Sequence, residues 1–161
     1  LYEYREALEG IAASAAARQA TPIDLARLES ICAAEAAELP EPDPQRWAEL
    51  DSMFHTAVGT ASHNDRVAAQ MKLLIDECRV LFFLLPQLPH GIMAIDLGGV
   101  VANHQRLLGL IRARDPAAAE EEARRVMRES SKRAIELAIA GKLPQVGDYD
   151  PVGETAAEAK T

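Results

Sequence analysis

Apolar residues recur at helical spacing along most of the chain, and short polar interruptions separate the runs. Trp47, Leu50, Phe54 and Val58 make one such face; Val101, Leu108 and Ile111 make another; Leu1, Leu8, Ala12 and Ala15 make a third. Thr21-Pro22, Asp43-Pro44 and Asp115-Pro116 each pair an N-cap side chain with proline at the first helical position. Asn64 with Asp65, and Asp96, supply two further caps, and Gly141 after "ELAIA" is a C-terminal stop. These signals predict six helices, at about 1–19, 22–39, 44–62, 65–85, 97–113 and 116–140. The linkers are short except "PQLPHGIMAI", and short connections favour antiparallel neighbours, so the pattern predicts an all-α, antiparallel, up-and-down bundle. No alternating β pattern and no internal repeat competes with this reading. A single domain over about residues 1–143 is expected, followed by a poorly ordered tail at 144–161 that has no apolar periodicity.

Composition agrees with a helical domain. Of 161 residues, 48% are hydrophobic and only 4% aromatic, and alanine is abundant. The formal charge of −8 repels phosphate backbones, so these residues alone are not expected to bind DNA. Cys32 and Cys78 lie in apolar stretches without CxxC spacing, which reads as buried free thiols in a reducing compartment and hence a cytoplasmic location. No signal peptide is visible, and the apolar run Val80–Pro86 is too short to cross a membrane. The chain opens at Leu1 without an initiator methionine and already in a helical pattern, as a piece of a longer protein would.

Polar residues on buried faces carry the chemistry, because burial costs free energy unless they are paired. Asp51 falls inside the Trp47–Val58 arc, with His55 one turn later at its edge. His104 lies between Val101 and Leu108 on the face of another helix, and Arg5 lies on the first helix's stripe. Asp at i and His at i+4 can ligate one ion, and His104 is phased to add a third ligand. An Asp-His-His set suits zinc, nickel, iron or manganese with open positions for water or a carboxylate. The competing reading of Asp51 and His55 is an intrahelical hydrogen bond. For Arg5 it is a surface salt bridge to Glu9, worth little. His63 reads as a solvated turn residue, His90 as a loop residue, and "EEEARR" at 120–125 as a solvated face with i,i+4 pairs. No Glu-x-x-His, HExxH, Gly-rich phosphate loop or G-x-S-x-G occurs.

The order of these features resembles a known family. "LYEYREALEGIAASAAA" is similar to the opening helix of the effector-binding (FCD) domain of FadR-type GntR transcription regulators. "LDSMFHTAVGTASHND" resembles that family's D-x-x-F-H segment, and "NHQRLLGLIRARDPAAAEEEARRVM" its segment in which aspartate follows a histidine by eleven residues. The resemblance runs to about residue 140. It implies a helical bundle, a homodimer, an upstream winged helix-turn-helix that binds DNA, and a cavity for a small effector, commonly a carboxylate or sugar acid. It also implies a divalent metal on Asp51, His55 and His104, with Arg5 as the bidentate anchor for an effector carboxylate. The family's fourth ligand, a histidine, is lost: its position is Val126, and Ser130 one turn later is no replacement. Members without the histidines bind larger effectors such as acyl-CoA without metal.

The leading expectation is therefore a non-enzymatic sensor whose effector shifts the arrangement of a dimer and so the spacing of its DNA-binding domains. A metal-dependent enzyme is the alternative, since an open three-ligand site activates water, but no general acid or base stands beyond the ligands. A purely structural dimerisation domain is the third reading.

Overall fold

The computed structural model describes residues 2–84 and 95–139. His90, Gly141, most of the "PQLPHGIMAI" linker and the 144–161 tail lie outside them. Six helices follow in order: α1 (Tyr2–Gln19), α2 (Pro22–Glu38), α3 (Pro44–Ala61), α4 (Asp65–Leu84), α5 (Leu97–Arg112) and α6 (Pro116–Ile139). There is no strand among the described residues, so the all-α bundle expected from the periodicity is the fold.

The starts fall where side chains can satisfy the free backbone amides of a first turn. Thr21 and Asp24 form a reciprocal capping box ahead of α2. Asp43 accepts from the Arg46 amide, Asn64 from Val67, Asp96 from Gly99 and Asp115 from Ala118.

Packing adds something the linkers do not contain. Neighbours in sequence do pair, α2 with α3, α3 with α4 and α5 with α6, but α1 packs chiefly on α6 and also touches α3, α4 and α5. This central place explains why its buried surface is wider than one stripe: Ala12, Ala13, Ala16 and Ala17 are all fully covered, and such small side chains let several helices approach one axis. Helices α1 and α6 run antiparallel, with Arg128 donating to Glu6 at 2.9 Å and the Arg124 side chain passing over Gly10. That register puts Val126 opposite Leu8, between the levels of Arg5 and Glu9. The main core joins Leu8, Leu28, Phe54, Met71, Leu107 and Ile111 among others. A smaller cluster of Trp47, Leu97 and Val101 closes the end near the start of α3 and α5.

Candidate metal centre

The apolar arc of α3 is buried as its spacing requires: Trp47, Leu50, Phe54 and Val58 all lie in the interior. Asp51 and His55 are carried inward on the same face, and α5 brings His104 to meet them. One ligand atom from each of these three residues lies within 4.8 Å of the others. His55 Nε2 stands 3.8 Å and His104 Nε2 3.9 Å from Asp51 Oδ1. Neither separation is a hydrogen bond, so the intrahelical Asp–His bond that competed for this pair does not form. Both imidazoles are held by aromatic contacts. Phe54 stacks on His104 with centroids 3.9 Å apart and planes 11° from parallel, and it meets His55 edge-on. The two imidazoles are perpendicular to each other at 5.1 Å.

The other nitrogen of each ring points away from Asp51, into a carboxylate. His55 Nδ1 is 2.7 Å from Glu9 Oε2, and His104 Nδ1 is 2.9 and 3.0 Å from the two Glu35 oxygens. Glu35 is completely buried and Glu9 is 3% exposed. Both were passed over as site residues in the sequence. Glu35 could have been found, because Leu28, Ile31, Cys32 and Glu35 share one helical stripe.

Arg5 also departs from the simpler expectation. Its pair with Glu9 forms, Nε to Oε1 at 2.5 Å, but inside the protein, with both side chains under one-tenth exposed. Its two terminal Nη groups donate to no oxygen among the described residues. Burial pushes the Glu9 carboxyl upward, yet His55 and Arg5, through charge and hydrogen bonds, outweigh it and bring it down to about 2. Burial opposes the charging of His55, and the facing Glu9 carboxylate overcomes this, so its pKa is raised.

The remaining assignments sort by position. Cys32 and Cys78 are buried free thiols, as expected. Burial, helped by Glu35, pushes Cys32 up to about 12, and burial raises Cys78 too, so neither offers a thiolate at neutral pH. His63 is a turn residue at φ 48° but not merely solvated, since its Nε2 lies 2.8 Å from Asp24 in the α2 capping box. In "EEEARR" the solvated face is interrupted: Glu122 is buried, and Arg106 of α5 reaches it from outside its own helix. Val126 and Ser130 lie half-buried on the inner side of α6.

Comparison with known proteins bears on the fold and on this arrangement. The FCD domain family matches residues 1–129. A solved structure described as Streptococcus agalactiae GntR is similar at 20% identity with a TM-score of 0.66, over 83% of this chain and 56% of that one. The chain thus spans little more than half the length of that protein. Comparison with curated proteins finds no match.

Proposed function

The chain belongs to the FCD domain family, and from that premise we propose that it is the effector-sensing domain of a GntR-type transcription regulator, binding a small carboxylate through a divalent metal. The observation that carries the metal is the meeting of Asp51, His55 and His104. Three points support the fit. One oxygen and two imidazole nitrogens suit zinc, nickel, iron or manganese. The second nitrogen of each ring is already engaged by a glutamate, as metal-binding histidines require. Asp51, Glu9 and Glu35 against Arg5 give the set a formal charge of −2 when the imidazoles are neutral, and a divalent cation offsets that charge, which is costly to bury.

With Asp51, His55 and His104 as protein ligands, and Val126 in place of a fourth, the ion would supply positive charge and open positions for an anion. Arg5, held by Glu9 through Nε and lying beside the Cys78 thiol, would turn its terminal donors to a carboxylate. Glu9 and Glu35 both face the ring nitrogens turned away from Asp51, so neither carboxylate stands at the meeting point of the three candidate ligands, which favours sensing over the enzyme alternative. No described helix is long and apolar enough to cross a membrane. We place the domain in a cytoplasmic homodimer, joined in the whole protein to an N-terminal winged helix-turn-helix that makes the DNA contacts. Tyr4 and Leu73, 49% and 59% exposed on adjoining helices, are apolar surface such a dimer would cover.

Elemental analysis after purification without chelator, followed by zinc calorimetry, tests the reading. One equivalent per chain is expected, lost in His104→Ala, and a melting temperature that zinc raises in the wild type only. A wild type that carries no metal and takes up none would leave the histidines as hydrogen-bonding partners of an organic ligand such as an acyl-CoA. Sedimentation as a monomer at micromolar concentration would remove the dimer.

A further inference from the structure

Each imidazole of the centre has two nitrogens, and only the one without a proton can bind a cation. Which one that is depends on what faces the other. At both histidines a buried carboxylate faces Nδ1, Glu9 at 2.7 Å from His55 and Glu35 at 2.9 Å from His104. A carboxylate only accepts, so a neutral ring beside it must carry its proton on Nδ1 and leave Nε2 bare. Both Nε2 atoms are the ones turned toward Asp51.

We infer that Glu9 and Glu35 are the positioning residues of this centre, fixing His55 and His104 as Nδ1–H tautomers with Nε2 presented to the ion. The inference rests on the metal reading for its purpose but not for its geometry. The two carboxylates come from different helices and are not interchangeable. Both Glu35 oxygens serve one ring, so Glu35 is dedicated to His104. Glu9 divides its oxygens between His55 and Arg5, so it ties a metal ligand to the anion anchor. Neither touches the ion, and each acts through the ring it holds.

Ring nitrogens that carry a proton can be distinguished from bare ones by long-range proton–nitrogen correlation spectra on the 15N-labelled chain. Spectra of metal-free wild type at alkaline pH are expected to show Nδ1–H on both His55 and His104. Glu35→Leu, which cannot accept, should release His104 into a tautomer mixture while His55 stays fixed, and Glu9→Leu should do the reverse. Glu35→Gln, whose amide oxygen still accepts, should restore the His104 tautomer. Zinc affinity by calorimetry should fall about 10- to 100-fold in each leucine variant and recover in large part with glutamine. Should a leucine variant fail to fold by circular dichroism, the glutamine variants still serve, with a loss of up to about tenfold expected. Nε2–H tautomers in the wild type, or tautomers and zinc affinities unmoved by the leucine substitutions, would overturn the assignment. Intact Nδ1–H tautomers in a wild type that takes up no zinc would support the assigned geometry and overturn the metal reading instead.

Discussion

Titrating the metal-free domain probes the Glu9 bridge most directly. The perturbation is pH, with a chelator present and protein concentration fixed, compared between wild type and Glu9→Gln. In the folded chain Glu9 drops from an ordinary 4.5 to about 2. A depressed carboxyl contributes stability that is present above its unfolded value and is lost as pH falls toward the folded one. For this shift the contribution is about 3 kcal/mol, or about 10 °C in melting temperature for a domain of this size. His55 works in the opposite direction. Its raised value contributes stability that is full below about 6.5 and fades as pH climbs through the folded pKa. The charge on the same contact is therefore lost from either side, and the two losses do not add at any one pH. The alkaline loss is the smaller, because Arg5 still holds Glu9 after His55 is neutral. The wild type should melt highest between about pH 4.5 and 6.5. The acid limb also contains Asp24 and Glu122, whose values are lowered as well. The glutamine variant separates them, since protonated Glu9 resembles glutamine and the two melting curves should converge toward pH 2. Curves that run parallel from pH 5 to pH 2 would show that no charged partner holds the Glu9 carboxylate.

Three further outcomes follow from the packing. Gly59→Ala would bring a Cβ to 2.9 Å from Met71 Cβ, where α3 and α4 meet; overpacking of about 1–3 kcal/mol should exceed the helix-propensity gain of up to about 1 kcal/mol and lower the urea midpoint. Arg114, at φ 59°, donates to the Ala17 carbonyl in the last turn of α1 and to the Ala20 carbonyl just beyond it. Arg114→Ala should cost about 1–3 kcal/mol by chemical denaturation, and Arg114→Gly less, because glycine relieves the positive φ. Val126→His would place an imidazole on α6 level with Arg5 and Glu9, and zinc calorimetry should show tighter binding; unchanged affinity would mean that α6 does not present this position to the centre.

Local signals made much of this protein legible. The caps at Thr21, Asp43, Asn64, Asp96 and Asp115 depend on one side chain and the next three amides, so sequence alone contains them. Asp51, His55 and His104 were visible for a related reason: a polar residue stands out against large apolar neighbours on a defined face. Glu9 and Glu35 lacked such a background. Glu35 sits in "AAEAAE", where alanines on every side define no face, although Ile31 and Leu28, one and two turns back, do. Glu9 paired with Arg5 at i+4 looks like any exposed helical ion pair, and only the central place of α1, covered by α3, α4, α5 and α6, makes it interior. That placement is a property of tertiary order, which periodicity does not encode. Glu122 was misjudged for the same reason, since Arg106 comes to it from a different helix.

The distribution of the centre over the bundle has a consequence for sensing. Its residues come from four helices: α1 gives Arg5 and Glu9, α2 gives Glu35, α3 gives Asp51 and His55, and α5 gives His104. Each polar contact in the set crosses between helices, except Arg5–Glu9 and the Asp51–His55 spacing within α3. A ligand that changed the position of one ring would therefore load a second helix through the carboxylate behind it. His55 would act on α1 through Glu9, and His104 on α2 through Glu35. Buried carboxylates cannot let go of their partners cheaply, so a displacement is met by moving helices together rather than by breaking bonds. Helix α1 is the element best placed to pass this on, because it holds Arg5, one of the two glutamates and the long contact with α6. A sensor built this way would pass its signal through a shift in how the central helix seats among its neighbours.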